Sequence, residues 1–211
     1  MARTRRQKKR DFQRWKDAFR EPSLSVLLIL QVFFIFLVRP LVSLDKIPGF
    51  VLDWFLFAIA FISVFVVSSG GWTRVATLVA FGLLVTTTEW DKLISPGPMV
   101  HFLSMAVACL FTLTVTVIIG GSVFGVGRVT QHHIQGAIVV YLNIALIFVT
   151  IYAGLADLIP HFFSHLSDDP QAQFDQLLYF SLGSLTTATL GDISPLNPMA
   201  RSLANLESVT G

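Results

Sequence analysis

Five long apolar runs, separated by short polar breaks, set the pattern of this chain. They cover Leu24–Leu44, Phe50–Ser68, Trp72–Thr88, Met99–Gly121 and Ile134–Ile159. A membrane-crossing helix needs about 20 apolar residues, and each run reads as a helix because open backbone cannot face hydrocarbon. The breaks are Asp45-Lys46-Ile47-Pro48-Gly49, Ser69-Gly70-Gly71, the stretch Glu89–Pro98, and the Gly-rich Ser122–His133 with Arg128. After Ile159 the pattern changes. His161–Gln173 is too polar to span. Phe174–Leu185 is apolar and aromatic but only about 12 residues long, which fits a re-entrant half-helix rather than a span. It leads into Leu185-Thr186-Thr187-Ala188-Thr189-Leu190-Gly191-Asp192, and Pro195 and Pro198 then break the chain before another helix begins. Residues 174–198 therefore read as a re-entrant pore loop.

Composition sharpens this picture. Of 211 residues, 54% are hydrophobic and only 13% are charged, with a mean hydropathy of +0.70. That is too little charge to cover a soluble surface, so the apolar excess faces lipid. The single cysteine, Cys109, lies inside an apolar run and cannot form an internal disulfide. The expected fold is an all-α membrane protein: about five transmembrane helices, a re-entrant pore helix with a filter loop, and a short or truncated sixth helix.

The net charge of +2 hides an asymmetry, since nine of the fifteen Lys and Arg lie in the first 20 residues. Such an arm can bind nucleic acid, but a basic segment ahead of a first membrane helix is more simply a cytoplasmic anchor on anionic lipid. Lipid is therefore the expected partner, and nucleic acid is not. Phe12, Trp15 and Phe19 fall at the spacing of an amphipathic surface helix. The long basic stretch and the absence of a small-residue cleavage site argue against a cleavable signal. If each run spans once, the arm, Arg74 and Arg128 share one side, the cytoplasm by the positive-inside rule. The Asp45–Gly49 and Glu89–Pro98 turns and the acidic Asp157–Asp175 stretch lie opposite. Arg39 and Lys46 fall on the wrong side, and Arg39 is expected to snorkel to the interface.

The half-helix and loop have a chemical logic. The partly negative C-terminal end of a helix favours a cation, and an extended segment after it offers carbonyls in place of hydration water. Thr187 adds a hydroxyl at the inner end, and Asp192 concentrates cations at the mouth. The candidate ion-filter residues are Thr186, Thr187, Ala188, Thr189, Leu190, Gly191 and Asp192.

This segment resembles the pore loop of tetrameric cation channels, in particular bacterial two-helix-pore potassium channels. Their pattern runs T-T-V-G-Y-G-D, then I/V-x-P, then a helix opening P-x-A-R-x-L-A-x-L-E. Thr186-Thr187, Gly191-Asp192-Ile193-Ser194-Pro195 and Pro198-Met199-Ala200-Arg201-Ser202-Leu203-Ala204-Asn205-Leu206-Glu207 match it. The stretch His133–Leu142 is similar to the outer pore helix of small six-helix members. The resemblance covers about residues 130–211 and implies a homotetramer, because one loop supplies one wall of a filter. It also implies a permeating monovalent cation, potassium by family, and no other cofactor. It divides the chain into a basic arm (1–22), a four-helix scaffold (23–129) and a pore module (130–211).

Two departures stand out. Ala188-Thr189-Leu190-Gly191 replaces V-G-Y-G, so Thr189 stands for a glycine that turns its carbonyl into the pore, and Leu190 stands for a bracing tyrosine. A less selective cation pore, a wider filter and a non-conducting subunit are all open outcomes. Pro198–Gly211 also supplies only about 21 Å of helix, whereas the family's inner helix runs on. Either the natural chain continues, or the cytoplasmic half of the gate is missing.

Other chemistry is sparse. The fourth run has no Lys or Arg, which argues against a voltage sensor. His132 and His133 lack further metal ligands nearby in sequence. His161 and His165, four apart and close to Asp168 and Asp169, would share a face if helical, giving either a metal or pH site or a solvated acidic turret. Asn143 is expected to hydrogen-bond between helices, Asp53 to cap a helix, and Thr112, Thr114 and Thr116 to bond their own backbone. No phosphate loop, HExxH or nucleophile elbow points to an enzyme, and no internal repeat points to a transporter.

Overall fold

In a computed structural model of the chain, the described residues are 24–44, 46–67, 75, 77–86, 98–123, 131–188 and 191–211. The basic arm, Arg74, the Glu89–Lys92 turn, Arg128, Thr189 and Leu190 lie outside them. Among the described residues the fold is all helical, with no strand beyond one isolated bridge, Phe163 to Pro195. The helices are α1 (Leu24–Ser43), α2 (Phe50–Val67), α3 (Thr77–Thr86), α4 (Pro98–Val123), α5 (Gln131–Leu158), α6 (Pro170–Leu185) and α7 (Pro198–Thr210). Among the described residues, three stretches are long and apolar enough to cross a membrane: Leu24–Ser43, Phe102–Gly121 and His133–Leu158. Large apolar side chains such as Ile29, Trp54, Leu110 and Val117 stay exposed along α1, α2 and α4. Such a belt is costly in water and fits a membrane-associated protein.

Polar pairs between α1 and α5 fix how these helices lie. Gln31 Nε2 donates to Asn143 Oδ1 at 2.8 Å, and Ser25 Oγ donates to Gln135 Oε1 at 2.9 Å. Both contacts advance in the same direction along α1 and α5, so these two helices run parallel. The first is the interhelical bond expected of Asn143. Thr112, Thr114 and Thr116 bond the carbonyls of Ala108, Leu110 and Thr112, as expected. Asp53, in the first turn of α2, lines a mainly apolar cavity of about 220 Å³ with Asn143, Thr112 and Thr150.

Arg39 departs from its expected place. Pro40 has no N–H, and its ring crowds the carbonyl a turn back. The helix widens into a π-turn over Phe34–Val38, with the Arg39 N–H bonded to Phe34 O. The Arg39 side chain then points inward rather than snorkelling. It is 7% exposed and pairs with Asp175 at 2.6 Å, with its guanidinium 3.7 Å from the Phe174 ring centroid. Ser43 Oγ donates to the other oxygen of Asp175. The pair joins the end of α1 to the start of α6.

α6 also begins earlier than its apolar pattern suggests. The half-helix expected from Phe174 starts at Pro170, because Asp169 caps it by accepting from Ala172 N at 2.9 Å and Pro170 fits the first helical turn.

Removing one member of a buried ion pair strands the other and costs about 3–5 kcal/mol, whereas replacing both by apolar residues is near neutral. Arg39→Leu and Asp175→Leu are each expected to lower the thermal midpoint of the solubilised protein. The double variant should recover most of that loss, and a double-mutant cycle of midpoints checks it.

Candidate ion-filter site

The candidate filter segment, Thr186–Asp192, has described residues at two anchors. The first is the C-terminus of α6. Thr186 is its C-cap, with Thr186 N bonded to Leu182 O at 3.0 Å and Thr186 Oγ1 donating to the same carbonyl at 2.7 Å. Thr187 N then bonds Ser184 O at 3.1 Å and Ala188 N bonds Gly183 O at 2.8 Å. This pair of reversed bonds is the Schellman arrangement, which requires a left-handed residue at the position of Thr187. Thr187 has φ 55. Glycine is the usual choice there, and a β-branched residue bears about 1–2 kcal/mol of strain. Thr186, Thr187 and Ala188 are all exposed on the single chain.

The second anchor is the exit segment. Gly191 and Asp192 are exposed, whereas Ile193 is buried. Ser164 N donates to Ser194 O at 2.9 Å, Ser194 N donates to Ser164 Oγ at 3.0 Å, and Leu196 N donates to Phe162 O at 3.1 Å. Arg201 Nε reaches back to Pro195 O at 3.0 Å, and Asn197 caps α7 through Met199 N at 2.8 Å. Behind the segment, Tyr152, Phe163 and Phe180 meet edge to face, with centroids 5.0–5.6 Å apart. Thr186, Thr187 and Ala188 thus stand at one anchor, Gly191 and Asp192 at the other. Thr189 and Leu190, between them, lie outside the described residues.

α5, α6 and α7 meet at a buried carboxyl that the sequence reading left without a role. Glu207 is 0% exposed, as are Ser181 and Tyr152. Tyr152 Oη donates to Glu207 Oε2 at 2.7 Å, Ser181 Oγ lies in close contact with Glu207 Oε1, and Ser181 Oγ is 3.1 Å from Ala145 O. A signal was present. Ala200, Leu203, Glu207 and Gly211 recur at spacings of three and four, which puts Glu207 on the inward face. At the end of that line, a Cβ on Gly211 would sit 2.1 Å from Leu185 O, so α7 crosses the last residue of α6 with room only for glycine.

The histidines are placed differently from the helical possibility. Residues 159–169 form turns, and His161 and His165 both have left-handed backbone, φ 56 and 55. They line one cavity of about 450 Å³ with Asp157 and Asp168. Among the described residues, no group of three His, Cys, Asp or Glu side chains converges to hold a metal ion. His133 lies in the first turn of α5.

Two substitutions probe the anchors. Asn tolerates left-handed backbone, so Thr187→Asn is expected to stabilise the solubilised protein by about 1 kcal/mol, read as a raised thermal midpoint. Gly211→Ala forces α7 off the end of α6 and is expected to lower that midpoint. Comparison with protein-family models, with curated proteins and with solved structures gives no match for this chain.

Proposed function

We propose that the chain is the pore-forming subunit of a homotetrameric, voltage-insensitive cation channel that passes monovalent cations of the potassium type. The observation that carries this reading is the helix–loop–helix of α6, the Thr186–Asp192 segment, whose described residues are exposed, and α7, in the sequence order of a potassium-channel pore loop. The helix end brings partial negative charge to the loop, and the loop's carbonyls are the ion ligands. Four copies close the filter. Exposed Met199, Leu206 and Val209 on α7 supply the apolar surface they pack with; Val209 is 84% exposed in the single chain.

The same reading assigns five spans, α1 to α5, with the N-terminal arm in the cytoplasm of a plasma or inner membrane. The parallel course of α1 and α5 supports it, since an odd-numbered pair of spans must run the same way. The four-helix part is scaffold, and α4 offers no arginine to a voltage field. A non-conducting regulatory subunit is the second reading, favoured by Thr189 and Leu190 in the filter.

Cation flux into liposomes tests the proposal. The wild type is expected to pass potassium and sodium with weak discrimination, and Thr189→Gly/Leu190→Tyr should sharpen the preference for potassium. Flux from neither version would favour the regulatory reading. A tetramer is expected after gentle solubilisation, and a monomer would sink the pore model.

A further inference from the structure

The contacts of Glu207 raise a question of proton count. Three oxygen–oxygen contacts run in a chain: Tyr152 Oη to Glu207 Oε2 at 2.7 Å, Glu207 Oε1 to Ser181 Oγ, and Ser181 Oγ to Ala145 O at 3.1 Å. Each hydrogen bond uses one proton, and a hydroxyl has one to give. Tyr152 fills the first contact. Ser181 fills either the second or the third, because the carbonyl of Ala145 has nothing to donate. An ionised Glu207 therefore leaves one contact without a proton. A neutral carboxyl completes the set: Tyr152 donates to Oε2, the protonated Oε1 donates to Ser181 Oγ, and Ser181 donates to Ala145 O.

The surroundings point the same way. The side chains that bear on the carboxyl are Ser181 from α6 and Tyr152 from α5, neither of them cationic. On α7 itself, Arg201 turns to the Pro195 carbonyl, and on α1 Arg39 is held by Asp175. Among the described residues no cation pairs with Glu207, and an unpaired ion in an apolar setting is strongly disfavoured.

We infer that Glu207 is a positioning residue carried as the neutral acid: its proton fills the contact to Ser181 and frees the Ser181 hydroxyl for Ala145 O, so that α6 is held to α7 and to α5 at once, ahead of the candidate filter segment it leads into. Ser181 stands one turn before the α6 C-terminus, so loss of that proton costs α6 its Ser181 bond to α5 near the helix end from which Thr186 and Thr187 emerge. Raising the pH until Glu207 ionises turns the Ser181 hydroxyl to the carboxylate and gives up its bond to Ala145 O, and acidification keeps both contacts. The effect on conduction rests on the pore reading above; the protonation state does not.

The test compares the full-length wild type, Glu207→Gln and Glu207→Leu. Glutamine copies the neutral acid, its amide N–H donating to Ser181 and its oxygen accepting from Tyr152. Leucine leaves the buried Tyr152 hydroxyl without its acceptor and Ser181 without its donor, and is expected to lower the thermal midpoint by roughly 5–10 °C. Glu207→Gln should restore the midpoint and the flux that Glu207→Leu loses, and should abolish the fall of both at high pH. Infrared spectra should show a protonated-carboxyl band in the wild type that is missing in Glu207→Gln. A missing wild-type band, or a glutamine variant as damaged as the leucine one, would overturn the inference. If no version passes cations, the pore reading fails, while the band and the midpoints still decide the proton. If the leucine variant does not fold, the band and the glutamine midpoint decide it.

Discussion

A polar side chain buried among apolar helices has no water to fall back on, so it dictates its neighbour. Much of this arrangement follows from three such demands. Gln31 and Asn143 bring α1 alongside α5. Arg39 and Asp175 bring the far end of α1 to the start of α6. Tyr152, Ser181 and Glu207 bring α5, α6 and α7 together. Apolar packing, non-directional by nature, fills the space between. Tyr152 belongs to both systems, since its ring faces Phe163 and Phe180 while its hydroxyl meets Glu207.

What the sequence makes legible follows the same division. The limits of α2, α4 and α5 can be read to within about three residues, because each is an apolar run closed by turn residues. The start of α6 is not visible in hydropathy. It is written in Asp169-Pro170, a cap and a first-turn proline inside a stretch whose polarity hides them. Arg39 misleads for a different reason, since its counterion lies on a distant segment and nothing local announces the pair. Glu207 has a local signal, the three-and-four spacing with Ala200 and Gly211, but a carboxylate on an inward face reads as an exception until its hydroxyl partners are seen.

At the filter, the sequence resemblance and the backbone geometry speak to different ends of one segment. Thr186 at the end of a helix is legible as a cap. The left-handed turn at Thr187 is not, because the rule that glycine closes a helix in this way places no expectation on a β-branched residue. Asp192 and Gly191 emerge exposed while Ile193 anchors inward. The described residues on either side of Thr189 and Leu190, the two that depart most from the potassium-channel pattern, are thus held by separate sets of contacts.

The Arg39–Asp175 pair also has an order in time. Ser43 and Asp175, which share this cluster, are 132 residues apart. At synthesis rates of about 5–20 residues per second, α1 is complete on the order of ten seconds before its counterion exists. Through that interval a membrane-inserted α1 carries a bare guanidinium, which is tolerable only near a helix end, where the side chain can reach the headgroups. Arg39 stands near that end. In the folded chain the guanidinium is instead buried against Asp175. The contact between the end of α1 and the start of α6 can therefore form only once α6 has been made.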